Sequence, residues 1–281
     1  MGAFTTGDGI SIDYSVRGSG PPLLACHGGP ANISDTLAEA LRPLEDDRTL
    51  VYHDYRGSGR SASAPAATYT FERLADDLEE LRCHLGYGPA PVLAHSMGGF
   101  VALHYALRHP ESCSGLVLVG TTPTGDPRKV VGRALRALGP GRTAKLAGRA
   151  LWYLGAWAWR PESVERRSAR YAIMATTQEG VPATRARVRE ASAGLPAPND
   201  NVPHLERLFS QVDLTAELSR IECPVLVLYG ERDAVMVAGG ELFRSHLPRA
   251  RQVVLPKVGH EPFLEAPDGA FPPIREFLRR I

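Results

Sequence analysis

Ser96 stands in Ala94-His95-Ser96-Met97-Gly98, a form of the G-x-S-x-G pattern in which a sharp strand-to-helix turn exposes a serine hydroxyl. Small residues are needed two before and two after it, because neighbouring backbone passes close. Alanine, with one methyl, fills the first of these places here. A serine hydroxyl is a weak nucleophile at neutral pH and needs an adjacent base. Of nine histidines, only His260, in Val258-Gly259-His260-Glu261, follows the last strand-like run on a glycine-hinged loop. His27, His53 and His95 adjoin earlier strand ends, His84, His104, His109 and His246 fall in or near helices, and His204 lies in an inserted segment. A carboxylate must then orient the imidazole. Two compete: Asp233, just after the run 225–229, and Asp126, after the run 116–119. Asp233 is favoured, since Asp126-Pro127 reads as the entry turn of the insertion. The developing oxyanion needs backbone donors. Met97, opening the helix after the serine, supplies one N–H, and Gly29 in His27-Gly28-Gly29-Pro30 supplies the other.

These residues must be positioned by something. Short apolar runs stand at 23–26, 50–53, 91–94, 116–119, 225–229 and 252–255, the last three each bounded by Gly or Pro. Between the early runs lie amphipathic stretches. Leu74, Leu78, Leu81 and Leu85 form one stripe of a helix over 71–85, and a second helix over 98–108 stops before Pro110. A helix over about 238–247 precedes the last run. Continuous apolar runs alternating with helices predict an α/β fold, a mostly parallel twisted sheet covered by helices on both faces. The chemically active residues fall at the carboxyl ends of the strands, where such sheets place their sites. Residues 3–6 and 10–16, around Thr6-Gly7-Asp8-Gly9, read as an antiparallel edge.

Residues 124–215 break the rhythm. They hold helical patterns interrupted by Gly and Pro and no strand-like run, so they read as a helical cap on a core of residues 1–123 and 216–281. Trp152, Trp157 and Trp159 are candidates to line a substrate pocket there or to pack the cap itself. Charge is split in the same way. Residues 128–190 carry fourteen Lys and Arg against four Glu, a net of +10 in a chain whose total is +1. Such a field suits a small substrate that is anionic or carrier-bound, and the alternative is a set of solvated helix faces.

Composition closes off other classes. The chain has 281 residues, 43% hydrophobic and 22% charged, enough for a large self-sufficient core. Its near-neutral total argues against nucleic acid, and no apolar run reaches the length of a membrane span. Residues 1–20 show no secretory pattern. The first six letters match a myristoylation pattern, but the turn that follows makes them an edge strand. Four unpaired-looking cysteines, at 26, 83, 113 and 223, fit a reducing cytoplasm and neither a disulfide framework nor a zinc site.

The chain resembles the α/β-hydrolases that carry a cap. The resemblance spans nearly the whole length, through His27-Gly28-Gly29-Pro30, Asp54-Tyr55-Arg56-Gly57-Ser58-Gly59-Arg60-Ser61, the Ser96 turn, Gly230-Glu231-Arg232-Asp233, Gly259-His260 and Pro262-Phe263-Leu264-Glu265-Ala266-Pro267. The order Ser96, Asp233, His260 is the order of that family. The first two segments resemble the proline iminopeptidase branch most. The serine turn departs from that branch, which has G-G-S-W-G, and resembles the esterase and carbon–carbon-bond hydrolase branches. Epoxide hydrolases and haloalkane dehalogenases share a similar H-G-x-P turn but use aspartate as nucleophile, so Ser96 sets this chain apart from both. The expectation is a serine hydrolase acting on an ester, lactone, thioester or related carbonyl through an acyl-enzyme, with no metal or organic cofactor. Three alternatives stand beside it. They are an iminopeptidase, which the basic cap disfavours because it must bind a cationic amine, a non-hydrolytic acyl transfer or cyclisation, and a ligand receptor with little turnover.

Overall fold

The computed structural model describes residues 1–29, 33–126, 128–130, 133 and 200–281. Trp152, Trp157, Trp159 and most of the inserted segment lie outside the described residues.

The strands are β1 (Gly2–Thr5), β2 (Ser11–Gly18), β3 (Pro22–Cys26), β4 (Thr49–His53), β5 (Ala90–His95), β6 (Cys113–Val119), β7 (Val225–Gly230) and β8 (Arg251–Leu255). They form one eight-stranded sheet in the order β1-β2-β4-β3-β5-β6-β7-β8. β1 and β2 are the antiparallel edge expected around the Thr6–Gly9 turn, with Gly2 opposite Tyr14 and Thr5 opposite Ser11. From β4 onward every pair is parallel. β5, which leads into Ser96, lies in the middle and is buried at all six positions.

Successive residues of each inner strand face opposite sides, and the core divides accordingly. Leu24, Cys26, Val92, Ala94, Leu116 and Leu118 pack on one side against helices α2 (Phe71–His84) and α3 (Gly98–Arg108). Leu23, Ala25, Leu93, Val117 and Val119 pack on the other. There they meet α1 (Ser34–Leu41) and the C-terminal helices α6 (Pro262–Glu265) and α7 (Pro267–Leu278). Two further helices, α4 (Val202–Phe209) and α5 (Ala234–His246), contribute Leu205, Met236 and Phe243 to the first side. Each fully buried Leu or Phe adds about 1.5–3 kcal/mol of burial energy, so a sheet filled on both faces is a stiff support for its strand ends.

The α2 stripe behaves as its spacing predicts: Leu74, Leu78 and Leu81 are fully buried, and the Thr70 hydroxyl accepts the Arg73 N–H to cap the first turn. α5 begins at Ala234, four residues before the expected start near 238, because the Asp233 side chain caps it by accepting the Met236 N–H. The inserted segment leaves and rejoins the sheet through a paired neck. Thr124 bridges Asp213, the Gly125 N–H donates to Val212 O and the Leu214 N–H donates to Pro123 O. Lys129 pairs with Asp213 and donates to the Thr215 hydroxyl. The four cysteines are free thiols, although the fold brings the sulfurs of Cys113 and Cys223 to 3.8 Å. No helix among the described residues is long and apolar enough to cross a membrane.

Candidate active site

Ser96 lies between the end of β5 and the start of α3 with φ at 53°, in the left-handed region that a non-glycine residue enters only under constraint. The constraint is visible. The Ser96 N–H donates to Val119 O on β6, and its carbonyl accepts the Gly99 N–H as α3 begins. A β-carbon at Gly98 would stand 2.5 Å from Cys26 O and 2.6 Å from His27 O, so only glycine lets α3 start against the end of β3. This is the physical content of the small residue two places after the serine. Ser96 itself remains partly accessible, while Met97 beside it is buried.

His260 arrives on the loop between β8 and α6, and Asp233 on the loop after β7. The fold brings both to Ser96. His260 Nε2 lies 3.0 Å from Ser96 Oγ, and His260 Nδ1 lies 2.5 Å from Asp233 Oδ2. With its proton on Nδ1, the ring donates to Asp233 and accepts from the serine hydroxyl. Both His260 and Asp233 are buried. Burial opposes the imidazolium, but the Asp233 carboxylate, with Glu261 and Glu265 behind it, outweighs that and raises the His260 pKa above its ordinary value. An imidazole between a hydroxyl and a buried carboxylate can take the hydroxyl proton and be stabilised as the cation. Asp126, the competing acid, is instead held by Arg128, whose backbone N–H and guanidinium both donate to it.

The residues expected to supply oxyanion donors are Met97, which directly follows the serine, and Gly29, whose neighbour Gly28 packs against it. Gly28 approaches so closely that a β-carbon there would sit 2.9 Å from Ser96 Cβ. Gly29 follows with φ at 55°. Among the described residues, no backbone carbonyl accepts the Met97 N–H. Pro30 lies outside the described residues.

The segment beginning Asp54-Tyr55-Arg56 braces this turn, a role that its motif alone did not disclose. The Tyr55 hydroxyl donates to His27 O at 2.9 Å, and the two rings lie 4.0 Å apart. Asp54 is fully buried and accepts the backbone N–H groups of Ser34 and Arg60. Burial works against its charge, yet those two donors hold its pKa below the usual value. Arg56 is fully buried in a two-pronged pair with Asp77, at 2.7 Å on each prong. From the far side, Asn201 donates to Arg56 O and Ser58 Oγ, tying the returning end of the insertion to the same loop.

His95, His260 and Glu261 present ligand atoms within 4.8 Å of one another. Both His260 nitrogens already serve Asp233 and Ser96, and His95 Nε2 serves the His260 carbonyl, so these atoms are committed to hydrogen bonds within the protein.

Residues 21–141 match the family model described as the alpha/beta hydrolase fold. The chain is 30% identical to the pimeloyl-acyl-carrier protein methyl ester esterase of Aeromonas hydrophila, over 96% of this chain and all of that protein. It is 25% identical to a proline iminopeptidase of Saccharolobus solfataricus, over 97% of this chain and 90% of that one. Among solved structures, the proline iminopeptidase-related protein of Thermus thermophilus superposes with a TM-score of 0.77 at 26% identity, covering 99% of this chain and 96% of that one. The esterase RhEst1 of a Rhodococcus species gives 0.72 at 26% identity, covering 99% and 97%. Identity sustained from end to end with hydrolases that share this sheet places the chain among the enzymes of the α/β-hydrolase fold family, to which it belongs.

Proposed function

We propose that this enzyme is a serine hydrolase that cleaves an ester, thioester or lactone through a covalent acyl-enzyme. Ser96 is the nucleophile, His260 the general base and then the general acid, and Asp233 the carboxylate that fixes the imidazole. One observation carries the reading: His260 spans Ser96 Oγ at 3.0 Å and Asp233 at 2.5 Å, with the serine held at positive φ on the turn between strand and helix. His260 takes the proton as Ser96 attacks the carbonyl, and the Met97 and Gly29 N–H groups bind the oxyanion. His260 then protonates the leaving group, and water enters with the same imidazole as base. Residues 124–215 form the cap, joined to the core through the Thr124–Asp213 neck.

The excess of basic residues in 128–190 supports an anionic or carrier-bound acyl substrate. The relative that acts on a methyl ester of a carrier-bound pimeloyl group supports the same class. An iminopeptidase reading draws support from the likeness to two such proteins, one of them a solved relative of that group. The cap's positive field argues against it, because the substrate amine is a cation. A panel of chromogenic acyl esters, acyl thioesters, lactones and prolyl amides decides between them, with Ser96→Ala as control. The reading expects turnover of esters or thioesters, loss of that turnover in Ser96→Ala, and little action on prolyl amides. Preferential cleavage of the prolyl amides would transfer the enzyme to the iminopeptidases, and full turnover by Ser96→Ala would remove the mechanism altogether.

A further inference from the structure

The backbone of the His260 loop is held at four successive residues. The Arg232 N–H donates to Val258 O at 2.8 Å. The Gly259 N–H donates to Glu265 Oε2 at 2.7 Å, and the Glu261 N–H donates to Glu265 Oε1 at 3.0 Å. Between them, His95 Nε2 donates to the His260 carbonyl at 3.0 Å. A single carboxylate therefore grips the residues on both sides of His260, one oxygen each. The third grip comes from the residue that directly precedes Ser96, so the strand carrying the nucleophile also fixes the loop carrying the base.

We propose that Glu265 and His95 are positioning residues that hold the His260 backbone at the distance Ser96 requires. The proposal rests on the reading of Ser96 and His260 as nucleophile and base. Glu265 belongs to a one-turn helix, and its side chain folds back over that helix's own start. A carboxylate suits the task because both oxygens accept, whereas an amide offers one acceptor and one donor. His95 is buried, and burial keeps its ring neutral, with Nε2–H available to donate. The rival reading is that Glu265 merely caps its helix. The two differ in the plateau rate at Ser96: losing a clamp on the His260 backbone lowers it, whereas losing a helix cap alone lowers only the stability. His260 faces Asp233 from the β7 loop, Glu261 in its own loop, Glu265 from α6 and His95 from β5. Burial opposes its charge, while the three carboxylates favour it. Loss of the Glu265 charge therefore lowers the pH at which His260 becomes a free base.

The test follows the rate at which a fluorophosphonate phosphonylates Ser96, across the titration range of histidine. It uses the full chain, the variants Glu265→Ala, Glu265→Gln, His95→Phe and His95→Gln, and thermal unfolding of each. Glu265→Ala is expected to lower the plateau rate about 10- to 100-fold, the scale of a misplaced reacting group, and to move the acid limb to lower pH. Glu265→Gln should move the limb equally, since the charge is gone, but lose less of the plateau, since one acceptor remains. His95→Gln, which keeps an N–H donor, should retain more rate than His95→Phe. A folded Glu265→Ala with the wild-type plateau and limb overturns the proposal. Should that variant fail to fold, wild-type plateau rates in both Glu265→Gln and His95→Phe overturn it equally. An unreactive wild type, or labelling that persists in Ser96→Ala, would bring down the underlying reading as well. Wild-type behaviour of the positioning variants alone would remove only the clamp.

Discussion

Gly230 ends β7, three residues before Asp233, and touches no reacting atom, yet alanine there should disable the enzyme. A β-carbon at this position would lie 2.2 Å from Gly259 O and 2.3 Å from Val258 O. An ordinary contact needs about 3.5 Å, so the two backbone atoms must retreat by about 1 Å. They belong to the loop that carries His260, and that loop is tied on its other side to Glu265 and His95. Gly230 is not among the positive-φ glycines, so the perturbation is steric and not conformational. A shift of this size at His260, the proposed base, costs about 100-fold in rate, or about 2.7 kcal/mol in the barrier. Crowding of a packed site adds about 1–3 kcal/mol of destabilisation. Initial-rate kinetics on whichever ester the panel identifies, together with thermal unfolding, provide the assay. The expected result is a kcat lowered about 100-fold with KM little changed, in a protein that still unfolds cooperatively. A folded Gly230→Ala with wild-type kcat would show that the placement of the His260 loop does not set the rate.

Asp233→Asn keeps an oxygen for the Met236 N–H and so preserves the α5 cap. It reverses the tautomer preference of His260, and kcat should fall about 10⁴-fold with the circular dichroism spectrum unchanged. The pH profile has a definite sign. Burial works against the His260 cation, but Asp233, Glu261 and Glu265 raise its pKa, and as the proposed base it must be neutral to act. kcat/KM should therefore fall as pH drops, with a midpoint above the ordinary imidazole value of about 6.5; a midpoint below that value would contradict the assigned environment. Asp77→Ala strands the fully buried Arg56 guanidinium on its remaining partner Asp8, at 2.8 Å. Urea unfolding should report a loss of about 3–5 kcal/mol, the cost of a broken buried pair.

The inner strands were legible because they are short apolar runs, bounded by Gly or Pro at 116–119 and 225–229, and because burial on both faces demands such runs. The order of Ser96, Asp233 and His260 along those strand ends then made their convergence readable from the chain alone. Other features were hidden for physical reasons. α7 contains Pro272 and Pro273 in its interior, which argues against a helix. Burial of Phe271, Ile274, Phe277 and Leu278 on one stripe overrides that local signal. α5 starts early because Asp233 serves two partners, capping the helix with one oxygen and holding His260 with the other. The parts of Asp54, Tyr55, His95 and Glu265 are hydrogen bonds to backbone groups of other segments or turns, and no periodicity marks a residue that will make one. His95 sat beside Ser96 in the motif, but only the fold reveals that its ring turns toward the His260 carbonyl.

The most direct measurement of the central claim maps where a fluorophosphonate binds covalently. The intact protein should gain one adduct, and peptide mass spectrometry should locate it on Ser96. Labelling should vanish in Ser96→Ala and slow sharply in His260→Ala. An adduct on any other residue, or labelling that survives in Ser96→Ala, would contradict the account.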